Sequence, residues 1–370
     1  MRRILITGAR APAALHLARL FHGAGHHVVM ADSLHHVVSR VSRACAAYVK
    51  LPAANGDRAV YAEAIRKALS DHQIDLVIPT CEEVLHLAAV WQDGGITVPL
   101  FAPEFGVLSR AHDKHRFTQM AASFGLAVPE TRLLQSEADV ALLRDRAAQF
   151  VFKPVWSRFA TDVLICPEEA TIAPTSARPW VAQDFVAGEE VSVYAVADKG
   201  KMMTWSAYRS PYRAGKGAGI AFLRDDDPAI GAFVNRFIGR SGWHGQVSFD
   251  LIRKPDGGLV ALECNPRATS GVHFFRQPAA FAAACLDGVP VRPEVQGLQA
   301  VKAAMWVYGP WQAPRRFWRD IKALQDVMVW PDDPAPARQQ WLASWEILKL
   351  ALRHHISPAE ATTLDIAWDG

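Results

Sequence analysis

The sequence predicts a chain of mixed class, α/β at its start and α+β beyond, on two observations. Residues 2–32 read strand, turn, helix, strand. Ile4-Leu5-Ile6 is a buried strand, Thr7-Gly8-Ala9-Arg10 a turn, residues 13–22 carry apolar positions at helical spacing, and Val28-Val29-Met30 is the next strand. Residues 246–267 instead alternate with period two on either side of Pro255-Asp256-Gly257-Gly258, a turn whose proline presets φ and whose glycines tolerate positive φ. At 370 residues the chain exceeds one small core, so two or three domains are expected.

The second stretch carries the chemistry. Val247, Phe249 and Leu251 share one strand face, opposite Gln246, Ser248 and Asp250. Across the turn, Val260, Leu262 and Cys264 oppose Ala261, Glu263 and Asn265. The register that matches the apolar faces sets Asp250 beside Glu263 and Ser248 beside Asn265, and a slip of one residue destroys the match. Two carboxylates directly across a ladder, Cβ atoms roughly 5 Å apart, are destabilising unless a cation lies between them. Asn265 adds a neutral oxygen on the same face, and Pro266 holds it extended. This donor set suits Mg²⁺, which completes its octahedron with water and phosphate. The plainer alternative is a solvated face whose acids pair with Arg253 or Arg267.

The opening unit is a βαβ of Rossmann type, continued by strands over 47–51 and 76–79 around a helix over 58–71. Its turn holds Gly8 alone and lacks G-x-G-x-x-G, so a nicotinamide dinucleotide with Asp32 on the ribose is not expected. Thr80-Cys81-Glu82-Glu83 follows at the carboxyl end of a parallel strand, where open α/β sheets place ligands. The two acids serve equally as a helix first turn, favoured there by the macrodipole. A helix is expected over 106–125 and another over 137–149. The strand after them, Phe150-Val151-Phe152-Lys153-Pro154-Val155, is interrupted by one lysine. That lysine is either an edge gatekeeper or a fixed cation aimed at phosphate from a mostly dry pocket. Strands are expected over 180–186 and 191–197, joined through Ala187-Gly188-Glu189-Glu190. Residues 208–219, with Arg209, Arg213, Lys216 and three glycines, read as a flexible basic loop that wraps an anion or simply moves. From residue 300 the chain is helical and holds Trp306, Trp311, Trp318, Trp330, Trp341 and Trp345, expected to pack a C-terminal lobe. A linker over 331–336 separates two of its helices.

Composition narrows the class further. Half the residues are hydrophobic, 21% are charged and the net charge is +3 without a long basic run, which argues against nucleic acid as a partner. The five cysteines, Cys45, Cys81, Cys166, Cys264 and Cys285, are odd in number and widely spaced, as in a reducing compartment. With a strand beginning at once, no leader-like segment and no apolar run near ~20 residues, a cytoplasmic protein with no membrane partner is expected.

With Lys114, Lys153, Gln183, the 184–190 stretch, Asp250 and Glu-Cys-Asn-Pro-Arg (263–267) on the page, the chain resembles the ATP-grasp superfamily. More narrowly it resembles the carbamoyl-phosphate-synthetase-like carboxylate–amine ligases. The resemblance implies a Rossmann-like pre-ATP-grasp domain (1–108), a small lobe (109–180), a large lobe with the metal site (181–299) and a helical, Trp-rich lobe (300–370). It implies that Lys114, Lys153 and Ser157 meet the ATP phosphates. Gln183 would meet the adenine amino group, the backbone of Asp184, Phe185 and Val186 the adenine edge, and Glu190 the ribose. Asp250, Glu263 and Asn265 would bind Mg²⁺, for which Mn²⁺ can substitute, with Lys153 and Arg267 catalytic at the transferred phosphoryl group. Glu82, Arg209, Arg213 and Ser270 are candidate substrate contacts. The loop after Lys153, Trp156-Ser157-Arg158-Phe159-Ala160, lacks the family's frequent glycines, so phosphate closure would fall to Ser157 and Arg158. The first metal acid is Asp250 where a glutamate is common. The implied reaction joins a small carboxylic acid to an amine through an acyl phosphate, releasing ADP, in a chain compatible with a homodimer. A kinase-like or carboxyphosphate-forming enzyme and a non-catalytic nucleotide-binding protein are the rivals.

Overall fold

A computed structural model describes residues 1–158, 162–215 and 217–370. Of the positions singled out above, Phe159, Ala160 and Lys216 lie outside the described residues. The first domain is a parallel sheet of β1 (Arg3–Thr7), β2 (His27–Asp32), β3 (Ala47–Lys50) and β4 (Leu76–Ile78) in the order β3-β2-β1-β4. Helices α1 (Pro12–Gly23), α2 (Arg58–Asp71) and α3 (Glu83–Gln92) connect and cover it. Ile4, Leu5, Ile6, Val28, Val29 and Met30 are wholly buried, the signature of strands covered on both faces. Gly8 (φ +70°) is required, because a Cβ there would stand 2.5 Å from Thr80 Oγ1.

The helix expected over 106–125 is two helices, α4 (Phe105–His112) and α5 (Lys114–Ser123). Asp113 separates them: its side chain accepts from the Arg116 N–H at 2.9 Å and caps α5. The helix expected over 137–149 shrinks to α6 (Glu137–Ala141), opened by a Ser136/Asp139 capping box, followed by a 3₁₀ segment, Arg144–Gln149.

A small antiparallel sheet joins β5 (Thr131–Leu134), β6 (Phe150–Pro154), β7 (Leu164–Ile165) and β8 (Trp180–Asp184) in the order β5-β8-β6-β7. Strand β8, at the border drawn between residues 180 and 181, therefore belongs with the small sheet. The chain leaves β8 at Asp184, so Phe185 and Val186 are not strand, and Phe185 is exposed.

The large sheet contains β9 (Glu189–Asp198), β10 (Lys201–Ala214), β11 (Ala218–Asp225), β12 (Gly245–Arg253) and β13 (Leu259–Asn265), with α7 (Pro228–Ser241) packed on it. After α8 (Pro278–Leu286), strands β14 (Leu298–Ala300) and β15 (Gln325–Asp326) extend it, giving the order β13-β12-β9-β10-β11-β14-β15. The basic stretch 208–219 is thus mostly hairpin rather than a loose loop. Tyr208 and Tyr212 are buried, and Gly215 and Gly217 are turn residues between its strands. Phe117, Phe233, Phe237, Trp243 and Phe249 fill the core between α5, α7 and the sheet.

Helices α9 (Lys302–Gln312), α10 (Pro314–Ala323), α11 (Ala335–His354) and α12 (Pro358–Ala361) complete the chain. The expected aromatic packing lobe is not what they form: Trp306, Trp311, Trp318, Trp341 and Trp345 are exposed, and only Trp330 is half-buried. Helical spacing specifies a stripe but not which way it faces.

Gly188 lies where the chain passes from the small sheet into β9. A Cβ there would stand 2.3 Å from the Arg253 carbonyl oxygen and 2.5 Å from Ile252 Cγ2. Gly188→Ala should therefore cost about 1–3 kcal/mol, the usual range for overpacking, read as a lowered midpoint in urea unfolding.

Candidate active site

The site forms where α5, the small sheet and the β12–β13 hairpin meet. Asp250 pairs with Glu263, and Ser248 with Asn265, as the alternation predicts. One detail differs. A bulge at Leu262, just before Glu263, sets Leu251 opposite Ala261 rather than Leu262. Leu262 is only half-buried and its carbonyl accepts from Gln183 Nε2 at 3.3 Å.

Lys114 opens α5 and Lys153 lies in β6; both are buried and converge on one carboxylate. Their Nζ atoms lie 3.4 and 3.7 Å from Glu263 Oε2. Lys114 Nζ also donates to the carbonyls of Ser157 (3.0 Å) and Val155 (3.4 Å), so Ser157 contributes its backbone. Asp250 is held from the other side: Ser192 Oγ donates to Oδ1 at 2.7 Å and Asn265 Nδ2 to Oδ2 at 3.0 Å. Arg267 donates to Asn265 Oδ1 at 3.2 Å.

These neighbours divide the two acids. Burial and the adjacent Glu263 charge push Asp250 up. Burial alone would raise Glu263 too, but Lys114 and Lys153 outweigh it and hold that carboxyl well below the usual range. Burial, with Lys114 alongside, pushes Lys153 down to about 8 despite the attraction of Glu263. A buried acid held high beside a second carboxylate is a place built for a cation. The oxygen-only donors Asp250, Glu263 and Asn265 fit Mg²⁺. Among the described residues no trio of His, Cys, Asp or Glu forms a closed metal cage, so phosphate and water would have to complete the shell.

The nucleotide side is partly assembled. Gln183 is buried in β8. In the hinge, the N–H of Asp184 donates to the Glu130 carbonyl at 2.9 Å and that of Phe185 to the Gln149 carbonyl at 2.8 Å. Among the described residues only the Val186 N–H is left uncommitted in the hinge. Glu190 is exposed and paired with Arg213, while Arg209 reaches Glu189 at 2.9 Å. Both arginines thus pair, with no ligand present, with acids at the start of the neighbouring strand β9. Ser270 only begins a 3₁₀ turn, Ser270–Phe274, and no described contact ties it to the acids.

Glu82 and Glu83 separate sharply. Glu83 is a structural lock: its Oε1 accepts from Thr7 Oγ1 (2.6 Å) and from the N–H groups of Thr80 (3.0 Å) and Cys81 (3.2 Å). Glu82 is also buried but faces Arg158, with His112 and Arg267 adding to its field. Burial would raise Glu82, yet the fields of His112, Arg158 and Arg267 and the Arg158 hydrogen bond hold it below the usual range. His112 is pushed down to about 4 by burial, against the pull of Glu82, and its Nε2 has no partner among the described residues. Arg158, expected at phosphate, bonds instead to Glu82, to the Trp368 carbonyl at 2.6 Å and to Asp369 at 3.1 Å. His112, Ser192, Trp368 and Asp369 are the participants that the sequence did not reveal. Only Ser192, two residues beyond Glu190 on an alternating strand, left a readable signal.

Asp32 is occupied as well. Its oxygens accept from the Arg10 side chain and from the N–H groups of Arg10 and Leu34, and Arg10 also grips Asp365 at 2.6 Å.

Residues 111–271, somewhat under half of the chain, match the family model of the ATP-grasp domain. The class expected from the sequence is therefore met. Among solved structures the chain is similar to N5-carboxyaminoimidazole synthetase from Staphylococcus aureus (14% identity, TM-score 0.60, 80% of each chain). It is similar also to L-amino acid ligase from Bacillus licheniformis (16%, 0.57, 77% of this chain and 74% of that one). A third is the biotin carboxylase domain of the Hydrogenobacter thermophilus 2-oxoglutarate carboxylase, solved as a dimer with MgADP, ADP and bicarbonate (13%, 0.61, 80% and 71%). At these identities the likeness is one of fold. No curated protein matches the sequence.

The raised Asp250 carboxyl sets a pH dependence. A carboxyl held above its free value keeps its proton in the folded chain where the unfolded chain has lost it. The ligand-free fold thus gains stability as pH falls through that window, while a divalent ion, which needs the carboxylate, loses affinity. The rise in thermal midpoint produced by Mg²⁺ with ATP should therefore be full at pH 8 and shrink towards pH 5. In Asp250→Asn it should be small at every pH, measured by differential scanning fluorimetry with and without metal.

Proposed function

We propose that this chain is an ATP- and Mg²⁺-dependent carboxylate–amine ligase that forms an amide through an acyl phosphate, releasing ADP and phosphate. The observation that carries the reading is the convergence of Lys114, Lys153, Asp250, Glu263, Asn265 and Arg267 on one point within an ATP-grasp domain. Asp250, Glu263 and Asn265 would hold Mg²⁺, which when bound neutralises phosphate charge. Lys114 and Lys153 would exchange Glu263 for phosphate oxygens, and Arg267 would leave Asn265 Oδ1 to meet the transferred group. Gln183, Val186 and Glu190 would flank the adenosine. Glu82, anionic and buried at the end of the first sheet, is the group best suited to meet the amine. Catalysis of this kind is positioning and electrostatic stabilisation, so no side-chain nucleophile is required. The acid and amine would be small molecules, and the compartment the cytoplasm.

A second reading is a carboxyphosphate-forming reaction at the same nucleotide site. It is favoured by likeness to a biotin carboxylase domain solved with bicarbonate.

The test is product analysis with candidate acids and amines. ADP and phosphate should appear, and hydroxylamine supplied with ATP and the true acid should yield a hydroxamate in the absence of the amine. AMP and pyrophosphate would contradict the mechanism. ATP consumption that requires bicarbonate and gives no hydroxamate would favour the second reading. Lys153→Met should reduce trapping about a hundredfold, the effect of losing one preorganised charge contact worth roughly 3 kcal/mol. Glu263→Gln, which removes a charged ligand at equal volume, should abolish turnover; because Lys114 and Lys153 lose their shared counter-ion, the unfolding midpoint should fall while the circular dichroism spectrum of the folded chain is kept.

A further inference from the structure

Helix α11 carries apolar residues on two sides. On the inner side Ala343 packs with Leu15, Val38, Val327 and Met328, Ile347 and Leu350 rest on the first domain's core, and Ala351 is buried. On the opposite side Trp341, Trp345, Leu348 and Leu352 succeed one another at intervals of four, three and four residues, which places them in one continuous stripe. They are 70%, 54%, 38% and 66% exposed. A stripe of this size facing water marks a contact surface.

The charges around the stripe identify the partner. Arg338, Lys349 and Arg353 flank it on one side, with Lys349 Nζ 5.4 Å from the centroid of the Trp345 ring. The helix's one acid, Glu346, is engaged with the backbone N–H groups of His35 and His36. Nearby in sequence the same chemistry recurs on α9 and α10. Trp306 and Trp318 lie 6.1 Å apart, both exposed, with Arg315, Arg319 and Lys322 exposed on the same α10. The acid of α10, Asp320, is buried against Arg316 and Arg319. A two-fold antiparallel pairing of α11 would set its basic flank against itself. An anionic surface would neutralise it, while indoles and leucines enter the boundary between headgroup and acyl chain. No helix among the described residues is long and apolar enough to cross a membrane, so α11 would lie on the surface. The expectation of no membrane partner rested on spanning length and does not bear on surface binding.

We propose that the outward face of α11 docks this protein on a membrane surface bearing anionic lipid headgroups. The test is co-flotation of the full chain with phosphatidylcholine vesicles, with and without phosphatidylglycerol, at low and high salt. Binding should require the anionic lipid and fall with salt, since polybasic attraction is screened within a Debye length of about 10 Å at 0.1 M. Trp341→Ser with Trp345→Ser, and separately Lys349→Glu with Arg353→Glu, should each lower the bound fraction at least about tenfold, the loss expected when two anchors are removed. All these side chains are solvent-facing, so both variants should keep the parent unfolding midpoint. Equal binding to neutral vesicles, no binding at all, or binding unchanged in both variants would overturn the proposal. So would a dimer, seen by light scattering without vesicles, that the tryptophan pair dissolves.

Discussion

The rest of this structure depends on holding two carboxylates, Asp250 and Glu263, side by side across a ladder. Left to themselves they would repel, and the fold opposes this by giving each a different set of neighbours. Glu263 receives two buried ammonium groups and stays ionised. Asp250 receives only a hydroxyl and an amide, and its proton becomes harder to remove. The sheet tolerates this because the opposite faces of the same strands are anchored. Phe249 and Cys264, next to the acids in register, lie in a core with Phe117 and Phe237. Phe117 is one turn along the helix that presents Lys114, so packing and charge placement are set by a single element.

That pairing was legible in the sequence because side-chain period and apolar matching allow only one register over the acids. The bulge at Leu262 was not legible, since Ala261 and Leu262 are both apolar and either could face Leu251. The break before Lys114 was signalled by Asp113, a preferred cap that an uninterrupted apolar spacing concealed. The basic hairpin was misread for the opposite reason. Three glycines near its turn outweighed Tyr208 and Tyr212, whose burial depends on Phe274 and on Met305 and Phe317, far along the chain. The tryptophans beyond residue 300 show the limit of periodicity as a guide. Helical spacing is identical whether a stripe meets a core or water, and only the partner decides.

Arg158 illustrates what no local pattern encodes. It follows Lys153 in the small lobe, pairs with Glu82 of the first domain, and bonds to Trp368 and Asp369 near the chain's end. Further back, the same terminal segment places Asp365 on Arg10 and the Asn55 amide on the Leu364 carbonyl. The segment thus runs along the carboxyl end of the first sheet, where an open α/β fold would otherwise admit a ligand. Asp32, the residue a dinucleotide ribose would require, is already satisfied there by Arg10. What remains of that crevice is the corner at Glu82, shared with His112 and within the field of Arg267.

This geometry makes partner exchange the economical way to work the site. With no ligand, Glu263 screens Lys114 and Lys153 from one another, and Asn265 engages Arg267. In the proposed reaction phosphate oxygens would take over the three cations, while a metal would take over the two acids. Each charge would pass from one partner to another without standing bare in a poorly solvated cleft, where desolvation is costly. The lowered proton affinity of Lys153 points the same way. It reflects burial beside Lys114 with one carboxylate to share, and a polyphosphate would relieve that deficit directly.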